Sequence, residues 1–378
     1  MSSDNHDKHE AIANRFGRTT DPLAEYDADF WAMETKDGID VFELFLDERI
    51  RSRDNTTETI RNRERHVRQF RDFMSENFDR HPACASTRHV MDWAEYLLDP
   101  PEPDEDGCKK GTVAKKLSTL QLAYEYFGNE PQFPHPTDFN PFGSAKGKID
   151  LSKDGAKEPR PIPMSELRDL IQNDIRHIRD RGLIVTAFKT LLRASEVCNI
   201  KISEVHIANS ELQEHYPDMG THPALEGRPN ALYVPHDRER NKRQRPTVIP
   251  LDDELRRVLT QYLLVRPDSG EPWLFLSKTK GKKLDHTNVN DRWKEYFRPE
   301  YGPNERFRGV TSHYGRHFGT TWFKIEQNWS RELVKYLRGD IQSGGEIRST
   351  RDAIDSYIHT YYEDIEDRYR GEVFKFLI

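Results

Sequence analysis

Residues 231–251 read ALYVPHDRERNKRQRPTVIPL, two apolar runs on either side of a strongly basic turn. The runs ALYVP and PTVIPL are short and rich in residues that favour strands, so they predict two β-strands in a chain whose other periodic segments are helical. Like charges crowded into one turn repel each other unless an anion lies nearby. The turn therefore points to an anionic partner. Its cations are Arg238, Arg240, Lys242, Arg243 and Arg245.

The length and composition indicate two folded domains with polar surfaces. The chain has 378 residues, of which 35% are hydrophobic and 33% charged, and its apolar stripes recur at regular spacing. No apolar run approaches the roughly 20 residues of a membrane helix, and the N-terminal stretch MSSDNHDKHEAIANRFGRTTD has no apolar signal core. We therefore expect a soluble protein of the cytoplasm, without a membrane partner.

The cysteines and the net charge exclude little on their own. Cys84, Cys108 and Cys198 are scattered without CxxC spacing, which argues against a disulfide framework and against a zinc site, so no metal is expected. A net charge of −7 argues mildly against a nucleic-acid partner. Binding depends on where the cations cluster, however, and not on their total.

The order of patterns along the chain predicts its domains. Residues 1–37 are interpreted as a flexible polar tail, and residues 136–160, rich in Pro and Gly, as a linker. Residues 38–135 contain four helical patterns, which predict a small helical bundle. Residues 161–378 begin with helices, pass through the two strands and return to helices, which predicts a mixed second domain.

Basic residues concentrate on two of the four N-terminal helices. The second helix carries Arg61 and Arg65, and the fourth carries Lys115 and Lys116. A solvated helix face with glutamate partners explains such residues equally well from this pattern alone. A surface that contacts phosphates is the alternative.

Four separated pieces of the second domain share a preference for phosphate. LLRASEV places Arg193 and Glu196 at i and i+3, where the glutamate can hold the guanidinium in place. TSHYGRHFGTTWF places His313 and Arg316 at the same spacing, on one side of a helix. Together with Lys242 and the tyrosines near the C-terminus, these residues suit transfer of a phosphodiester to a tyrosine hydroxyl.

In this order the pieces resemble the tyrosine recombinase (phage integrase) family, over about residues 40–378. TLLRASEVCNIKISEV is similar to the box that carries the family's first arginine, RNKRQRPTVIPL to its β-hairpin, TSHYGRHFGTTWF to its HxxRH box and DSYIHTYYEDI to its nucleophile segment. The resemblance assigns catalytic roles to Arg193, Lys242, His313, Arg316 and Tyr357, with Glu196 and Asp340 in supporting positions.

The resemblance implies a mainly α fold. It consists of an N-terminal four-helix, SAM-like core-binding domain and a mixed α+β catalytic domain with a small antiparallel sheet. The implied activity is site-specific recombination of double-stranded DNA through a 3′-phosphotyrosyl intermediate, without cofactor, metal or small-molecule substrate. The implied assembly is a DNA-induced homo-oligomer, a synaptic tetramer, at the nucleoid. Further DNA contacts are expected from Arg240, Arg243 and Arg245 of the hairpin.

Two other functions use similar residues. A type IB topoisomerase-like enzyme would relax DNA as a monomer, and a DNA-binding protein with a degenerate site would not cleave it. The second alternative rests on Asp340, which occupies the position of a histidine or tryptophan in the family, because an aspartate beside a phosphate is electrostatically unfavourable. Leu191 and Gly315 also depart from the family, which usually has Gly and Leu there.

The choice among the C-terminal tyrosines depends on the resemblance. At about 100° per residue, Tyr361 falls on an apolar stripe with three isoleucines, which predicts a buried ring. Tyr357 and Tyr362 flank that stripe on opposite sides, and periodicity does not decide between them. The resemblance selects Tyr357, because it heads a Tyr-x-His followed by an acidic pair, Glu363 and Asp364.

Overall fold

The computed structural model describes residue 8 and residues 11–53, 55–101, 106–152, 157–340 and 361–378. The chain forms two compact units, Met1–Ala156 and Lys157–Ile378. In the described ranges it is mainly helical, with one three-stranded antiparallel sheet in the second unit. The predicted fold class, mainly α with a small antiparallel sheet, is therefore confirmed. No helix in these ranges combines the length and apolar character needed to cross a bilayer.

The described part of the first unit contains helices joined by turns and loops, and no β-strand. Two short 3₁₀ turns, Ala24–Tyr26 and Pro82–Cys84, accompany its helices. The helices are α1 (Asp27–Lys36), α2 (Val41–Phe45, continued by a wider turn over Leu46–Arg51), α3 (Thr57–Asn77), α4 (Thr87–Leu98), α5 (Lys110–Asn129) and α6 (Pro141–Lys146).

Local capping sets where the long helices begin. The Thr56 hydroxyl accepts a hydrogen bond from the backbone N–H of Thr59 at the start of α3, and Ser86 and His89 form a reciprocal capping box at the start of α4. The buried side chains of α3 are Val67, Phe70, Phe73 and Met74, spaced at three and four residues as a helix with one apolar face requires.

The tail and the linker are shorter than the composition predicts. Leu23 and Phe30, from the predicted flexible tail, are fully or almost fully buried in the core of the first unit, and the Phe30 ring stacks on His81. Phe142 and Ala145, on α6 within the predicted linker, belong to the same core. The predictions were wrong for these segments because single apolar residues in polar surroundings leave no periodic signal, although each buries its full side chain.

The second unit combines helices with the sheet. Two more short 3₁₀ turns lie at Ile202–Glu204 and Pro223–Leu225. The helices are α7 (Met164–Asp169, continued over Leu170–Asp174), α8 (Ile178–Thr190), α9 (Ala194–Cys198), α10 (Ser210–His215), α11 (Asp253–Leu263), α12 (His286–Tyr301), α13 (His313–Thr321, continued over Trp322–Glu326), α14 (Arg331–Arg338) and α15 (Glu366–Glu372). The strands are β1 (Val205–His206), β2 (Ala231–Val234) and β3 (Thr247–Pro250).

The sheet has the order β1-β2-β3, and the two predicted strands form its hairpin. Leu232 pairs with Ile249 and Val234 with Thr247, so the basic turn at residues 235–246 joins the two strands. The short strand β1 was not predicted, since two residues are too few to show an alternating pattern.

Helix α8 is the centre of the second unit. Almost every side chain along it is buried, which is the pattern of a helix surrounded by others. Its Phe188 ring contacts the rings of Trp293, Phe318 and Phe376. Helix α8 ends at Thr190, three residues before Arg193, so the packed core positions that arginine.

Candidate active site

Arg193 is oriented by the end of α8 and by Glu196. Leu191 adopts a left-handed conformation, with φ +56°, and reverses the chain between α8 and α9. The backbone N–H of Arg193 then donates to Oε2 of Glu196 at 2.9 Å, and its Nη1 donates to Oε1 at 3.0 Å. Glu196 is fully buried. The predicted contact between these two residues is therefore present, and it holds Arg193 both at its backbone and at its guanidinium.

The left-handed Leu191 explains why a glycine suits this position. A side chain in this region costs about 1–2 kcal/mol, whereas burying a leucine contributes about 1.5–3 kcal/mol. Leu191 is completely buried, and a Cβ added to Gly319 would lie 2.8 Å from its Cδ1. Gly319 thus leaves the space for the leucine. A Cβ on Gly315 would similarly approach Trp293 to 3.0 Å, so Trp293 fills the space that a larger residue at 315 would need.

Arg316 is fixed by backbone carbonyl groups. It lies on α13 and is only 2% exposed. Its Nη1 donates to the carbonyl of Leu191 at 2.8 Å, and its Nη2 donates to the carbonyl of Arg338 at 3.1 Å. Burial, together with the nearby Arg193 and Arg338 cations, lowers the pKa of Arg316 to about 9. A negative charge beside this guanidinium is therefore strongly favoured.

Asp340 supplies that negative charge. Its Oδ1 accepts a hydrogen bond of 2.9 Å from Nη2 of Arg316 and lies 3.7 Å from Nη2 of Arg193. Its Oδ2 accepts from Nε of Arg338 at 2.5 Å. The sequence pattern predicted Asp340 near the site but not Arg338, although the position of Arg338 two residues before Asp340 was a usable signal.

Lys242 lies on the β2–β3 turn beside Arg193. Its backbone carbonyl accepts a hydrogen bond of 3.3 Å from Nη1 of Arg193, and its side chain is exposed. Two other cations of the turn are paired with carboxylates, because Nη1 of Arg238 donates to Glu204 at 2.8 Å and Nη1 of Arg240 donates to Asp285 at 2.9 Å. Protein carboxylates thus supply part of the negative charge that the crowded turn requires.

Arg243 is not on the surface of the turn, which corrects its predicted role as a DNA contact. It is 4% exposed and donates from Nη2 to the carbonyl of Leu337 at 3.1 Å. Its Nε lies 3.9 Å from Oε1 of Glu196. Burial lowers the pKa of Arg243 to about 10. Arg243 therefore braces the turn from inside, whereas the guanidinium of Arg245 lies over the Tyr336 ring at 4.9 Å.

Gly339 allows this turn to pack against the end of α14. Its φ is +66°, and a Cβ at this position would lie 2.1 Å from Cγ of Arg243. Gly339→Ala should therefore lower the free energy of unfolding by about 2–4 kcal/mol, through backbone strain and overpacking. Urea unfolding of the full chain measures the change.

Gly371→Ala is the matched control for this substitution. Gly371 lies on α15, and a Cβ there meets nothing within 4 Å. Alanine should be neutral there or stabilise the helix by up to about 1 kcal/mol. A difference of less than about 1 kcal/mol between the two variants would contradict the assigned packing.

His313 is the first residue of α13 and is exposed at the same site. Its ring lies 4.6 Å from that of His317, in an edge-on arrangement. Partial burial, followed by His317 and the cations Arg316 and Arg193, lowers the pKa of His313 to about 4. The imidazole is therefore neutral at pH 7, and it can accept a proton or donate a hydrogen bond from its remaining N–H.

Tyr357, the predicted nucleophile, lies outside the described residues. Of its neighbours, Tyr361 is 60% exposed and Tyr362 is 3% exposed, so the prediction that Tyr361 is the core ring was wrong. The reason is that residues 361–365 form a turn before α15, and helical periodicity does not apply to them. The Tyr362 hydroxyl donates to Oε1 of Glu366 at 2.8 Å, and burial raises the pKa of Tyr362.

The predicted basic surface of the first unit is present on α3 and α5, with one correction. Arg61, Arg65 and Lys115 are exposed. Burial lowers the pKa of His66 to about 4, and the next largest causes are the charges of nearby cations, Arg65, Lys116, Arg63 and Lys115. These cations therefore lie close together around His66. Lys116 is only 7% exposed, and its ammonium group faces Sγ of Cys108 at 3.7 Å. Its predicted DNA contact is therefore not supported.

The chemistry of the second unit's site is that of an anion receptor. Four guanidinium groups, from Arg193, Arg243, Arg316 and Arg338, surround two carboxylates, Glu196 and Asp340. Within the described ranges, His, Cys, Asp and Glu side chains form no group of three placed to hold a metal ion. Positive charge is in excess, and the exposed side chains of Lys242 and His313, which can transfer protons, lie at the edge of the site. This arrangement suits the binding of a phosphodiester.

Comparison with known proteins finds similarity to one family in the second unit. The model of the phage integrase family matches residues 162–339, which include every arginine of the site. Over these residues the chain is similar to the phage integrase family. Tyrosine recombinase XerC of Halalkalibacterium halodurans is 29% identical over 160 residues, which are 41% of this chain and 48% of that relative. The chain thus spans about half the length of the XerC relative.

Solved tyrosine recombinase structures have the same fold. The Tn1549 transposon integrase in complex with transposon right-end DNA gives a TM-score of 0.57 at 15% identity, covering 88% of this chain and 99% of that chain. A lambda integrase tetramer bound to a Holliday junction gives a TM-score of 0.56 at 14% identity, covering 84% of this chain and 83% of that chain. At these identities the likeness concerns the fold alone.

Proposed function

We propose that the chain is a tyrosine-type, site-specific DNA strand transferase, which cleaves and rejoins strands through a 3′-phosphotyrosyl intermediate. The observation that carries the proposal is the convergence of Arg193 and Arg316 on a single carboxylate oxygen. Two guanidinium groups aimed at one anionic oxygen match the charge of a scissile phosphate. The match of residues 162–339 to the phage integrase family model supports the same reaction.

In this proposal each residue of the site has one task. Tyr357 attacks the scissile phosphorus, and its phenolic proton passes to His313 or to solvent. Arg193 and Arg316 bind the non-bridging oxygens and stabilise the charge of the phosphorane. Lys242 gives a proton to the leaving 5′-oxygen. The phosphotyrosyl ester keeps the energy of the broken bond, so the reverse attack by a 5′-hydroxyl reseals a strand.

The fold neighbours support the proposed partners. The similar lambda integrase and Tn1549 integrase structures contain DNA, and the former is a tetramer on a Holliday junction. We infer that this chain binds double-stranded DNA and assembles on it as a homo-oligomer, a synaptic tetramer. Its place of action would then be the nucleoid in the cytoplasm.

Loss of the basic surface on α3 and α5 should weaken DNA binding and its salt dependence together. Arg61→Gln, Arg65→Gln and Lys115→Gln combined remove three exposed cations. Because each phosphate contact contributes about −0.9 to the slope of log K against log salt, the slope should fall in magnitude by about 2–3. Binding of a 30-base-pair duplex (about three helical turns), measured by fluorescence anisotropy over a range of salt concentrations, checks this.

A second triple variant separates this surface from net charge. Arg18, Lys36 and Arg88 are also exposed cations of the first unit, and none lies on α3 or α5. Their joint replacement by glutamine changes the net charge equally but should leave the slope unchanged. Equal effects of the two triple variants would mean that the predicted surface has no special role.

The proposed reaction itself is tested by trapping its intermediate. The full chain is incubated with a pool of nicked duplexes of random sequence, denatured in detergent, and the DNA that remains attached is sequenced. A recombinase should enrich one sequence family, joined to protein through a 3′-phosphate. The absence of any attached DNA would support the degenerate-site alternative.

Two plasmid assays then separate a recombinase from a topoisomerase. A plasmid that carries two copies of the enriched sequence should yield deletion or inversion products if the chain exchanges strands. A topoisomerase-like enzyme would instead relax a supercoiled plasmid at low protein concentration without rearranging it. Relaxation without rearranged products would overturn the recombinase assignment.

A further inference from the structure

Asp340 lies where the two arginines that we assign to the scissile phosphate meet. Its Oδ1 is hydrogen-bonded to Arg316 at 2.9 Å and lies 3.7 Å from Nη2 of Arg193. A carboxylate and a phosphodiester bind guanidinium groups in the same way, through paired anionic oxygens. The side chain thus occupies atoms of Arg316 and Arg193 that a substrate phosphate needs.

We propose that Asp340 is an internal competitor of the substrate phosphate, and that Arg338 retains the displaced carboxylate when the phosphate enters. The inference rests on the proposed function in one respect, namely that the incoming anion is a phosphate of DNA. Binding is then an exchange of one monoanion for another at Arg316. A phosphate positioned by both arginines displaces the carboxylate, whereas a weakly placed one does not.

The surroundings of Arg316 and Arg338 decide which group moves. Arg316 is 2% exposed and bonded to the carbonyl groups of Leu191 and Arg338, so it stays in place. The Arg338 side chain is 32% exposed and bonds Asp340 through Nε at 2.5 Å. Asp340 can therefore turn away from Arg316 while it keeps the contact with Arg338, because its backbone N–H remains bonded to the carbonyl of Lys335.

The electrostatics of the cluster also favour an exchange over simple departure of the carboxylate. Removing Asp340 from the cluster without a replacement would leave Arg193, Arg316 and Arg338 close together with Glu196 as the nearby carboxylate. Uncompensated cations that are partly buried are costly. An anion at this position, either Asp340 or a phosphate, is therefore strongly favoured.

A different role for Asp340 predicts the opposite result. If the carboxylate were a permanent acceptor that orients Arg316 for its substrate, its removal would weaken anion binding. If it competes, its removal should strengthen anion binding. The sign of the change therefore decides between the two roles.

The test is calorimetric titration of the full chain with inorganic phosphate at constant ionic strength. Asp340→Asn keeps an oxygen acceptor for Arg316 but removes the charge, and it should bind phosphate about tenfold more tightly than the unmodified chain. Adding Arg316→Gln should abolish that gain. Asp340→Ser replaces the asparagine variant if the latter has a lowered unfolding midpoint.

Asp291→Asn is the matched control. Asp291 forms a half-exposed surface pair with Lys294, three residues along α12, so the substitution removes the same charge away from the arginines. Its affinity for phosphate should stay within about twofold of the unmodified chain. Binding by Asp340→Asn that is no tighter than binding by Asp291→Asn overturns the proposal.

The role of Arg338 is tested by a double-mutant cycle. Arg338→Gln should weaken phosphate binding about threefold when Asp340 is present and have little effect in the Asp340→Asn background. An equal loss in both backgrounds would mean that Arg338 acts only as a general cation. Phosphate binding requires neither Tyr357 nor a DNA sequence, so its outcome is independent of whether a covalent DNA adduct forms.

Discussion

Tyr357→Phe should abolish the covalent DNA adduct while leaving non-covalent DNA binding within about twofold. The phenylalanine lacks the oxygen that forms the phosphotyrosyl bond, whereas the guanidinium groups of Arg193 and Arg316 remain in place to bind the phosphate. Denaturing electrophoresis of the chain on a nicked suicide substrate measures the adduct. Anisotropy on the same duplex measures binding.

The neighbouring tyrosines are the controls for this assignment. Tyr361→Phe and Tyr362→Phe should both form the adduct. Tyr362→Phe should in addition lose about 1 kcal/mol of stability, because the Tyr362 hydroxyl is buried and donates to Glu366. A peptide that carries DNA at Tyr361 or Tyr362, found by mass spectrometry, would contradict the choice of Tyr357.

Lys242→Ala should slow strand cleavage by about 10²–10⁴-fold and change DNA affinity by less than about threefold. A proton donor acts on the leaving 5′-oxygen only in the transition state, so its loss affects the rate rather than binding. The side chain of Lys242 is exposed beside Arg193, where a leaving group can reach it. Single-turnover cleavage of the suicide substrate measures the rate.

A sulfur substitution tests whether the lost function is proton donation. A substrate with sulfur in place of the 5′-bridging oxygen leaves as a thiolate, which needs no acid, and should restore the rate of the Lys242→Ala variant. Lys280→Ala, at another exposed lysine of the second unit, should cleave both substrates at the normal rate. If sulfur does not restore cleavage, the acid is another group, and His313 is the next candidate.

The sequence by itself determined the long helices of the first unit, the β2–β3 hairpin and the contact between Arg193 and Glu196. Apolar spacing together with a Thr or Ser cap sets where α3 and α4 begin. The Arg193–Glu196 contact joins residues three apart, so a local pattern predicts it. Two apolar runs with a turn between them likewise predict the β2–β3 hairpin, which is a local feature of the sequence.

Only the tertiary structure decided which charged and aromatic side chains face inward. The contact of Arg243 with Leu337 joins residues 94 positions apart, and no local pattern distinguishes it from the exposed Lys242 beside it. The burial of Phe30 likewise depends on partners supplied by distant segments.

The same reason applies to Asp340. The sequence shows an aspartate at a position where the phage integrase family has histidine or tryptophan. Only the packing of α8, α13 and α14 brings Arg193, Arg316 and Arg338 around the carboxylate of Asp340. Hydrogen bonds and ion pairs of this kind depend on distances of a few ångströms, which the sequence sets only through the packing of the whole unit.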